Sequence, residues 1–161
     1  MYLIRKAARD DAQAIFTLRN AAIRNESAGH YTTEIIDLWT KGETPSDQFC
    51  QWIAARFYIA ELDGEVVASG TIDPTDGKID AIFVCPRHTR KGIGKAMLAF
   101  LEKLAGDQGL EVLHLEATLN AASFYRSQGF IGHEVAQFHS PRGFAMDCVP
   151  MQKRLKQTTS N

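Results

Sequence analysis

The spacing of hydrophobic residues changes partway along the chain. In the first third, apolar positions recur every three or four residues, which predicts amphipathic helices. These helices cover about 10–24, 32–40 and 44–53, after a short strand-like opening at 2–6. From Phe57 onward, runs of strand-forming residues alternate with turn signals, which predicts short β-strands.

The first strand-like runs lie at 57–60, 66–72 and 79–84. An Asp-Gly pair at 63–64 is a hairpin signal, and a second turn-forming stretch spans 73–77. Consecutive strands joined by turns this short must run antiparallel. The middle of the chain therefore predicts a three-stranded meander.

A strongly amphipathic helix follows at 92–106, and a strand at 112–115 comes after it. A helix between two strands favours a right-handed crossover, so 112–115 should lie parallel to 79–84. The remaining elements are a short helix that ends at Gly129 and closing strands at 131–138 and 144–151. The predicted fold class is α+β, with a mixed, mostly antiparallel central sheet flanked by helices.

Composition adds limits to this picture. The 161 residues suit a single domain over 1–156 with a polar tail at 157–161. The net charge is −1, so no overall field favours nucleic acid. The three cysteines show neither disulfide-framework nor zinc spacing, and we expect no metal. No apolar run resembles a signal peptide or a membrane span, so we expect a cytoplasmic protein with no membrane partner.

The most distinctive stretch joins strand 79–84 to helix 92–106. Gly92 and Gly94 stand at the start of the helix, where unpaired N–H groups and the positive end of the dipole favour an anion. Four cations crowd the same turn: Arg87, Arg90, Lys91 and Lys95. This pattern predicts a phosphate-binding turn.

Two common nucleotide-binding devices do not fit this turn. A P-loop needs the spacing G-x-x-x-x-G-K-[ST], whereas here Ala96 follows Lys95 where Ser or Thr should stand. In a dinucleotide-binding G-x-G-x-x-G loop, the third glycine would fall on Met97, and the preceding meander replaces the expected βαβ unit. These mismatches disfavour both kinds of nucleotide site.

Three local patterns resemble the GNAT superfamily of N-acetyltransferases. The first is strand 79–84 followed by Arg-Lys-Gly-Ile-Gly at 90–94, which is similar to the family's Q/R-x-x-G-x-G/A loop. The second is Asn120 with Phe-Tyr-Arg-Ser-Gln-Gly-Phe at 124–130, which is similar to the family's N…FYxxxGF. The third is the C-terminal strand that ends near 149–153.

A finer resemblance connects the chain to the YafP-like branch of this superfamily. It rests on His-Tyr-Thr at 30–32, on Trp39, and on the Thr89-Arg90 version of the loop. Thr89 stands where the superfamily has Gln or Arg. Backbone amides carry most of the phosphate contacts in such a loop, and Arg90 is adjacent to supply a cation.

The resemblance implies acetyl-CoA as the co-substrate. Its phosphates would lie on the turn and its pantetheine arm along strand 79–84, which requires this strand to splay away from strand 112–115. A backbone N–H near Val84 would polarise the thioester. The expected binding residues are Ile82, Phe83, Val84, Thr89, Arg90, Lys91, Gly92, Ile93, Gly94, Lys95, Asn120 and Phe124. Asn120 has an equal alternative, because it can also cap the following helix.

The resemblance also implies direct attack of a primary amine on the thioester, with Tyr125 as the acid that protonates the leaving thiolate. For the base that deprotonates the amine, period-two alternation predicts that Asp80 shares one strand face with Ile82 and Val84. The alternative bases are His30, Glu26 and Glu116.

Glu26, His30 and Tyr31 are the residues we expect to contact the acceptor, together with the loop near 140–143. A small-molecule amine is the first candidate acceptor, and a peptide or protein amine is the second. A sensor that binds acetyl-CoA without catalysis is the rival hypothesis. The sequence leaves open whether the protein is a monomer or a homodimer.

Overall fold

The computed structural model describes residues 2–156, so the predicted polar tail lies outside the described residues. Four antiparallel strands form the first sheet in chain order. They are β1 (Leu3–Lys6), β2 (Phe57–Leu62), β3 (Glu65–Ile72) and β4 (Ile79–Val84). The second sheet contains β5 (Val112–Thr118), β6 (Ala136–His139) and β7 (Ala145–Arg154). β7 lies in its centre, antiparallel to both neighbours.

Five α-helices accompany the sheets. They are α1 (Ala12–Glu26), α2 (Thr33–Trp39), α3 (Asp47–Arg56), α4 (Ile93–Asp107) and α5 (Ala122–Ser127). The hydroxyls of Thr32 and Ser46 cap α2 and α3 by accepting backbone N–H groups of their first turns. None of the helices over residues 2–156 has the length and apolar character needed to cross a membrane. The α+β architecture predicted from the sequence is confirmed.

The main apolar core lies between α4 and the two sheets. Gly70 of β3 lets α4 approach closely, because a Cβ at this position would stand 2.8 Å from Met97 Cγ. A second cluster packs α1 and α3 on the same sheet through Ile15, Ile53 and Ile59, which are all fully buried. Helices therefore cover both faces of the first sheet and hold β4 in place from both sides.

Within residues 2–156, one backbone bridge joins the two sheets, and we call its position the vertex. Here Lys78 forms an isolated parallel bridge with His114, whose N–H donates to Gly77 O at 3.2 Å. Gly77 has φ +79°, and a Cβ there would lie 2.4 Å from the carbonyl oxygen of Val112. The Lys78 ammonium also pairs with Glu116 at 3.1 Å. Beyond the vertex β4 and β5 belong to separate sheets, so the predicted splay between two parallel strands is confirmed.

The predicted strand at 131–138 is largely wrong, because only Ala136–His139 forms a strand there. Ile131 makes one isolated bridge with Gln152. The chain then presses against β7, since a Cβ at Gly132 would lie 2.2 Å from Pro150 O. Residues 132–135 form no ladder with β7, whose pairing with β6 begins at Ala136.

Candidate functional site

The edge of β4 that faces β5 is open beyond the vertex. The ladder of β4 to β3 spans Ile79 to Val84, and within residues 2–156 no other strand forms a ladder with β4. Its side chains from Ala81 to Val84 are partly buried. They can therefore pack in the core while the backbone edge offers donors and acceptors to an extended ligand.

A β-bulge interrupts β4 at Asp80. Positions 79 and 81 pair with successive residues of β3, which leaves Asp80 as the extra residue. Ile79, Ile82 and Val84 pack in the main apolar cluster, whereas Asp80 is exposed. The prediction that Asp80 shares a face with Ile82 and Val84 is therefore wrong, because one inserted residue reverses the alternation of side chains.

The phosphate loop, residues 85–95, has a backbone conformation suited to anion binding. Arg90 and Gly92 adopt left-handed conformations, with φ +66° and +79°. The N–H groups of residues 90–95 have no acceptor within the described chain, and the first amide to bond back is Ala96 N–H, to Gly92 O at 3.0 Å. Successive unpaired amides at a helix start form a ready-made anion cradle.

The cations of this loop differ in their availability. Arg87 forms an ion pair with Glu65 and is therefore engaged. Arg90, Lys91 and Lys95 are exposed, and none forms an ion pair in residues 2–156. Thr89 has a local role, because its hydroxyl donates to Pro86 O at 3.2 Å and closes the turn. The loop thus offers three free cations beside its unpaired amides.

Gly94 brings three predicted site residues together. A Cβ at Gly94 would stand 3.5 Å from a methyl of Val84 and 3.7 Å from the ring of Phe124. The end of β4, the start of α4 and helix α5 therefore converge at the mouth of the splay. Gly92, by contrast, has open space where its side chain would be.

A Schellman motif fixes Tyr125 on α5. Phe130 N–H donates to Tyr125 O, and Gly129 N–H donates to Arg126 O, both at 3.0 Å. The Phe130 ring packs edge-on against Tyr125, with ring centroids 5.6 Å apart. The predicted contact of Phe130 is confirmed, and it explains why Gly-Phe follows the Phe-Tyr pair at this spacing.

Tyr125 is 6% exposed, and burial raises its pKa well above the ordinary value. No other group in residues 2–156 forms a hydrogen bond with its hydroxyl. A phenol held in this way stays protonated at neutral pH and can donate to a ligand.

The side chain of Asn120 ties α5 to α1 rather than capping α5. Its Oδ1 accepts a hydrogen bond from the buried Ser27 hydroxyl at 3.2 Å. The N-cap of α5 is Ala121, which has no side-chain cap, so the capping alternative for Asn120 is wrong. The Asn120 amide nitrogen has no partner among the described side chains and backbone groups and can donate to a ligand.

Two of the predicted bases, Asp80 and Glu116, lie near the vertex, and they differ in the charged groups around them. Partial removal from water raises the pKa of the Asp80 carboxyl, and the Lys78 ammonium opposes this shift. Glu116 is held by Lys78 at 3.1 Å and also faces the Cys148 thiol at 3.9 Å. Burial and the Glu116 carboxylate raise the pKa of that thiol, so Cys148 is a poor nucleophile. Asp80 is therefore the better placed of the two carboxylates to accept a proton.

A pocket of about 440 Å³ lies between the α1–α2 connection and the β6–β7 hairpin, and we call it the acceptor pocket. Its lining residues are Gly29, His30, Tyr31, Thr32, Ile35, Gln137, Ala145, Met146 and Asp147. His30 and Tyr31, which the sequence analysis expects to contact the acceptor, line this pocket. Glu26 does not line it, because it ends α1 and accepts a hydrogen bond from Asn25 outside the pocket.

Sequence reasoning missed the hairpin half of this pocket. Gln137, Met146 and Asp147 stand more than a hundred residues from Tyr31 along the chain, and no local motif marks them. The one available signal was the polar loop near 140–143, which the sequence tied to the acceptor only in general terms. A smaller pocket of about 160 Å³ near Tyr58 and Leu104 contains no predicted site residue.

A sequence model of the acetyltransferase (GNAT) family matches residues 20–130, which include the phosphate loop and Tyr125. The chain belongs to this family. The predictions of a GNAT N-acetyltransferase fold and of acetyl-CoA as the co-substrate are confirmed at the level of the family.

Two GNAT relatives from Escherichia coli (strain K12) match by sequence. The uncharacterized N-acetyltransferase YafP is 25% identical over 74% of this chain and 75% of its own length. The peptidyl-lysine N-acetyltransferase YiaC is 32% identical over 47% of this chain, and the match spans only half of YiaC.

Solved GNAT structures agree with the fold. A GCN5-related N-acetyltransferase from Rhodopseudomonas palustris superposes with a TM-score of 0.88 at 25% identity, covering 95% of both chains. Three other solved structures of this fold, at 18–23% identity, hold coenzyme A or acetyl-CoA.

Proposed function

We propose that this GNAT protein transfers an acetyl group from acetyl-CoA to the primary amine of a small molecule by direct attack on the thioester. The observation that carries this proposal is the open edge of β4 running into the unpaired amides of residues 90–95. Such an arrangement suits a ligand with an extended, peptide-like arm and phosphates at one end.

The described residues fit acetyl-CoA. The amides of residues 90–95, with Arg90, Lys91 and Lys95, would hold the phosphates. Ile82, Phe83 and Val84 would offer backbone groups to the arm, and the free amide nitrogen of Asn120 would add a donor. Phe124 and Val84 flank Gly94 and would wall the arm. When bound, acetyl-CoA supplies the activated thioester.

Tyr125 is the proposed acid. A phenol is protonated at neutral pH, and the hydroxyl of Tyr125 has no partner in the described chain that would compete for this proton. The Schellman motif holds the ring in one position. Protonation of the departing thiolate is the step that such a donor would serve.

Asp80 is the proposed base. An alkylammonium has a pKa near ~10 and must lose a proton before it can attack. A carboxyl with a raised pKa is a better proton acceptor than an ordinary one, and the bulge turns Asp80 away from the apolar cluster. Glu116 is the weaker candidate because Lys78 already neutralises its charge.

The acceptor pocket supports a small amine as the substrate. Its volume of about 440 Å³ suits a small organic molecule, and hairpin and helix residues wall it on two sides. Asp147 would contribute a carboxylate that attracts a cationic amine, and His30 and Tyr31 would contact the rest of the molecule. We further infer a cytoplasmic location, since Cys50, Cys85 and Cys148 are all free thiols.

A peptide acceptor is the second candidate. It is favoured by the match to YiaC, a peptidyl-lysine N-acetyltransferase, although that match covers half of each chain. The two candidates differ in what must enter the acceptor pocket: a whole small molecule, or one lysine side chain with its peptide outside. Competition between small amines and lysine-containing peptides for turnover separates them.

The experiment that tests the function combines isothermal titration with acetyl-CoA and a thiol-release assay over a panel of primary amines. Tyr125→Phe should reduce turnover about 100-fold or more, as loss of an acid catalyst does. The affinity for acetyl-CoA should stay within about twofold, because no phosphate or arm contact changes. The Tyr125 hydroxyl makes no hydrogen bond within the described residues, so the variant loses none and should fold as stably as the wild type.

Tyr58→Phe is the matched control, because Tyr58 packs on Phe100 away from the predicted site residues. It should leave turnover unchanged. Binding of acetyl-CoA without thiol release for any amine would favour the sensor hypothesis over an enzyme. Full activity in Tyr125→Phe would rule out the proposed acid.

A further inference from the structure

The acceptor pocket has two walls from distant parts of the chain. One wall is the α1–α2 connection with the first turn of α2, and the other is the β6–β7 hairpin. The hairpin belongs to the second sheet, in which β6 is one of the two edge strands. The width of the pocket therefore depends on what ties the hairpin to α2 and its preceding loop.

Tyr31 ties one end of the hairpin. Its hydroxyl donates to Asp147 O at 2.5 Å and accepts the N–H of Leu119 at 2.9 Å. It thereby joins the α1–α2 connection to β7 and to the end of β5. Its ring packs edge-on against Trp39 of α2, with centroids 6.0 Å apart. This tie fixes the base of the hairpin, next to the sheet.

Arg142 ties the other end, at the tip of the hairpin. Its Nη1 donates to Lys41 O at 2.7 Å and to Leu38 O at 3.4 Å, just past and within the last turn of α2. The turn that presents it is held locally, because Arg142 N–H donates to Ser140 Oγ at 3.1 Å and Ser140 N–H donates to Phe144 O at 2.9 Å. Gly143, with φ +88°, permits the tight return of the chain.

The end of α2 is a favourable target for such a cation. The last carbonyls of a helix lack intrahelical donors, and α2 has no basic residue of its own in its last turn. Arg19 and Arg24 of α1 donate to Trp39 O and Thr40 O, at 3.2 and 3.4 Å. Arg142 donates to the carbonyls on either side of these two, Leu38 O and Lys41 O. The carbonyls of residues 38–41 are thus all bound by arginines.

The hydrogen bonds between Arg142 and the end of α2 lie at the protein surface. Arg142 is exposed, and within residues 2–156 neither Arg142 nor Arg19 forms an ion pair with a carboxylate. Burial and the nearby charge of Arg142 lower the pKa of Arg19 to about 10. Because Arg142 is exposed, it can leave these carbonyls for water without leaving its own charge buried and unpaired.

We propose that Arg142 determines acceptor specificity by fastening the tip of the β6–β7 hairpin to the end of α2, so that the acceptor pocket admits compact amines and excludes bulky ones. The inference rests on the proposed function, because it assumes that the acceptor enters this pocket. Arg142 acts as a positioning residue. It sets the distance between the two walls without contact with the reacting atoms.

The test uses Arg142→Ala and Arg142→Lys in the full chain. With a series of primary amines from ethylamine to tryptamine, Arg142→Ala should shift the ratio of kcat/KM for bulky over compact amines by about tenfold, the effect of one lost charged hydrogen bond. Arg142→Lys should shift it less, since an ammonium can reach one carbonyl but cannot fork between two. The affinity for acetyl-CoA should stay within about twofold in both variants.

A second readout does not depend on turnover. Hydrogen exchange of the backbone amides at 136–147 should accelerate about tenfold in Arg142→Ala, while exchange in β1 to β4 stays unchanged. Arg154→Ala, an exposed arginine at the far end of β7, is the matched control and should change neither readout.

The outcomes separate this inference from the proposed function. If wild-type protein acetylates no amine, the proposed function fails, and the exchange measurement still decides whether Arg142 holds the hairpin. Unchanged exchange in Arg142→Ala would overturn the inference. Faster exchange with an unchanged ratio between bulky and compact amines would also overturn it, because the hairpin would then move without setting specificity.

Discussion

The phosphate loop and the acceptor pocket are built in opposite ways. The loop is continuous in sequence, its shape comes from Gly92 and Arg90, and its amides at 90–95 are left unpaired. The acceptor pocket joins segments more than a hundred residues apart through bonds such as Tyr31 to Asp147 and Arg142 to Lys41. The first region exposes backbone amides, whereas the second is walled by side chains.

This difference teaches where specificity can change. A backbone cradle tolerates side-chain substitution, which explains how Thr89 can serve as a local turn residue where the family has Gln or Arg. A pocket whose walls are tied by a few long-range contacts can change its acceptor through any one of them. We therefore expect substitutions in the phosphate loop to weaken acetyl-CoA binding, and substitutions around the acceptor pocket to change which amine is accepted.

The largest expected effect comes from a change that breaks both regions at once. Gly77→Ala at the vertex would add left-handed strain and force the backbone away from Val112 O, which lies 2.4 Å from the new Cβ. Strain and overpacking together should lower the free energy of unfolding by about 3 kcal/mol or more. Urea unfolding measures this loss, and both acetyl-CoA and acceptor binding should weaken in the folded fraction.

Gly64→Ala is the control for this change. Gly64 has nearly the same φ, +81°, in the turn between β2 and β3, but nothing lies near its missing side chain. It should show the strain alone, about 1–2 kcal/mol. Equal costs at Gly77 and Gly64 would contradict a close contact at the vertex.

The next largest effect concerns the pH dependence of turnover. Asp80→Asn should lower kcat/KM about 100-fold at neutral pH if Asp80 is the base. In wild type, activity should fall as pH decreases through the raised pKa of Asp80, at higher pH than an ordinary Asp would show. The activities of the wild type and of the Asp80→Asn variant are measured with one amine across pH, so protonation of the amine cancels in their ratio.

The raised pKa of Asp80 also predicts how the free energy of unfolding depends on pH. Because the folded pKa of Asp80 is raised, its contribution to stability falls as pH rises from the unfolded value, near ~3.9, through the folded one. Asp80→Asn should therefore unfold at the same or a higher temperature at neutral pH. A variant that is both less stable and only slightly less active would point to a structural role.

The smallest expected effect comes from a substitution in the phosphate loop that should weaken acetyl-CoA binding alone. Gly92→Ala would place a side chain at φ +79° in open space, so the free loop should relax out of this conformation. Binding of acetyl-CoA would then have to restore about 1–2 kcal/mol of strain and should be roughly tenfold weaker. Titration calorimetry measures this, and KM for the amine should hardly change. Gly109→Ala, with φ +82° and open space just past α4, should share the strain without the loss of affinity.

Local motifs predicted the co-substrate half of the site because its determinants are local. Each motif is short: the loop glycines are Gly92 and Gly94, and the Phe-Tyr pair and Phe130 lie within 124–130. Asp80 was assigned to the wrong face because a bulge depends on how β4 registers with β3, which no single strand records. Gln137 and Asp147 escaped prediction because only tertiary packing brings them to the loop before α2. The loop at 140–143 was expected near the acceptor, but the contact of Arg142 with the end of α2 was not predicted.

The single bridge at the vertex has a consequence for survival of the protein in the cell. Within residues 2–156, the two sheets are joined by backbone pairing only at the vertex, which leaves a gap in the hydrogen-bond network. A bound pantetheine arm would fill this gap like an extra strand. A ligand that binds only the folded state at a hundred times its dissociation constant adds about 2.7 kcal/mol to stability. Resistance to unfolding and to proteases would then follow the supply of acetyl-CoA, linking the lifetime of the protein to metabolic state.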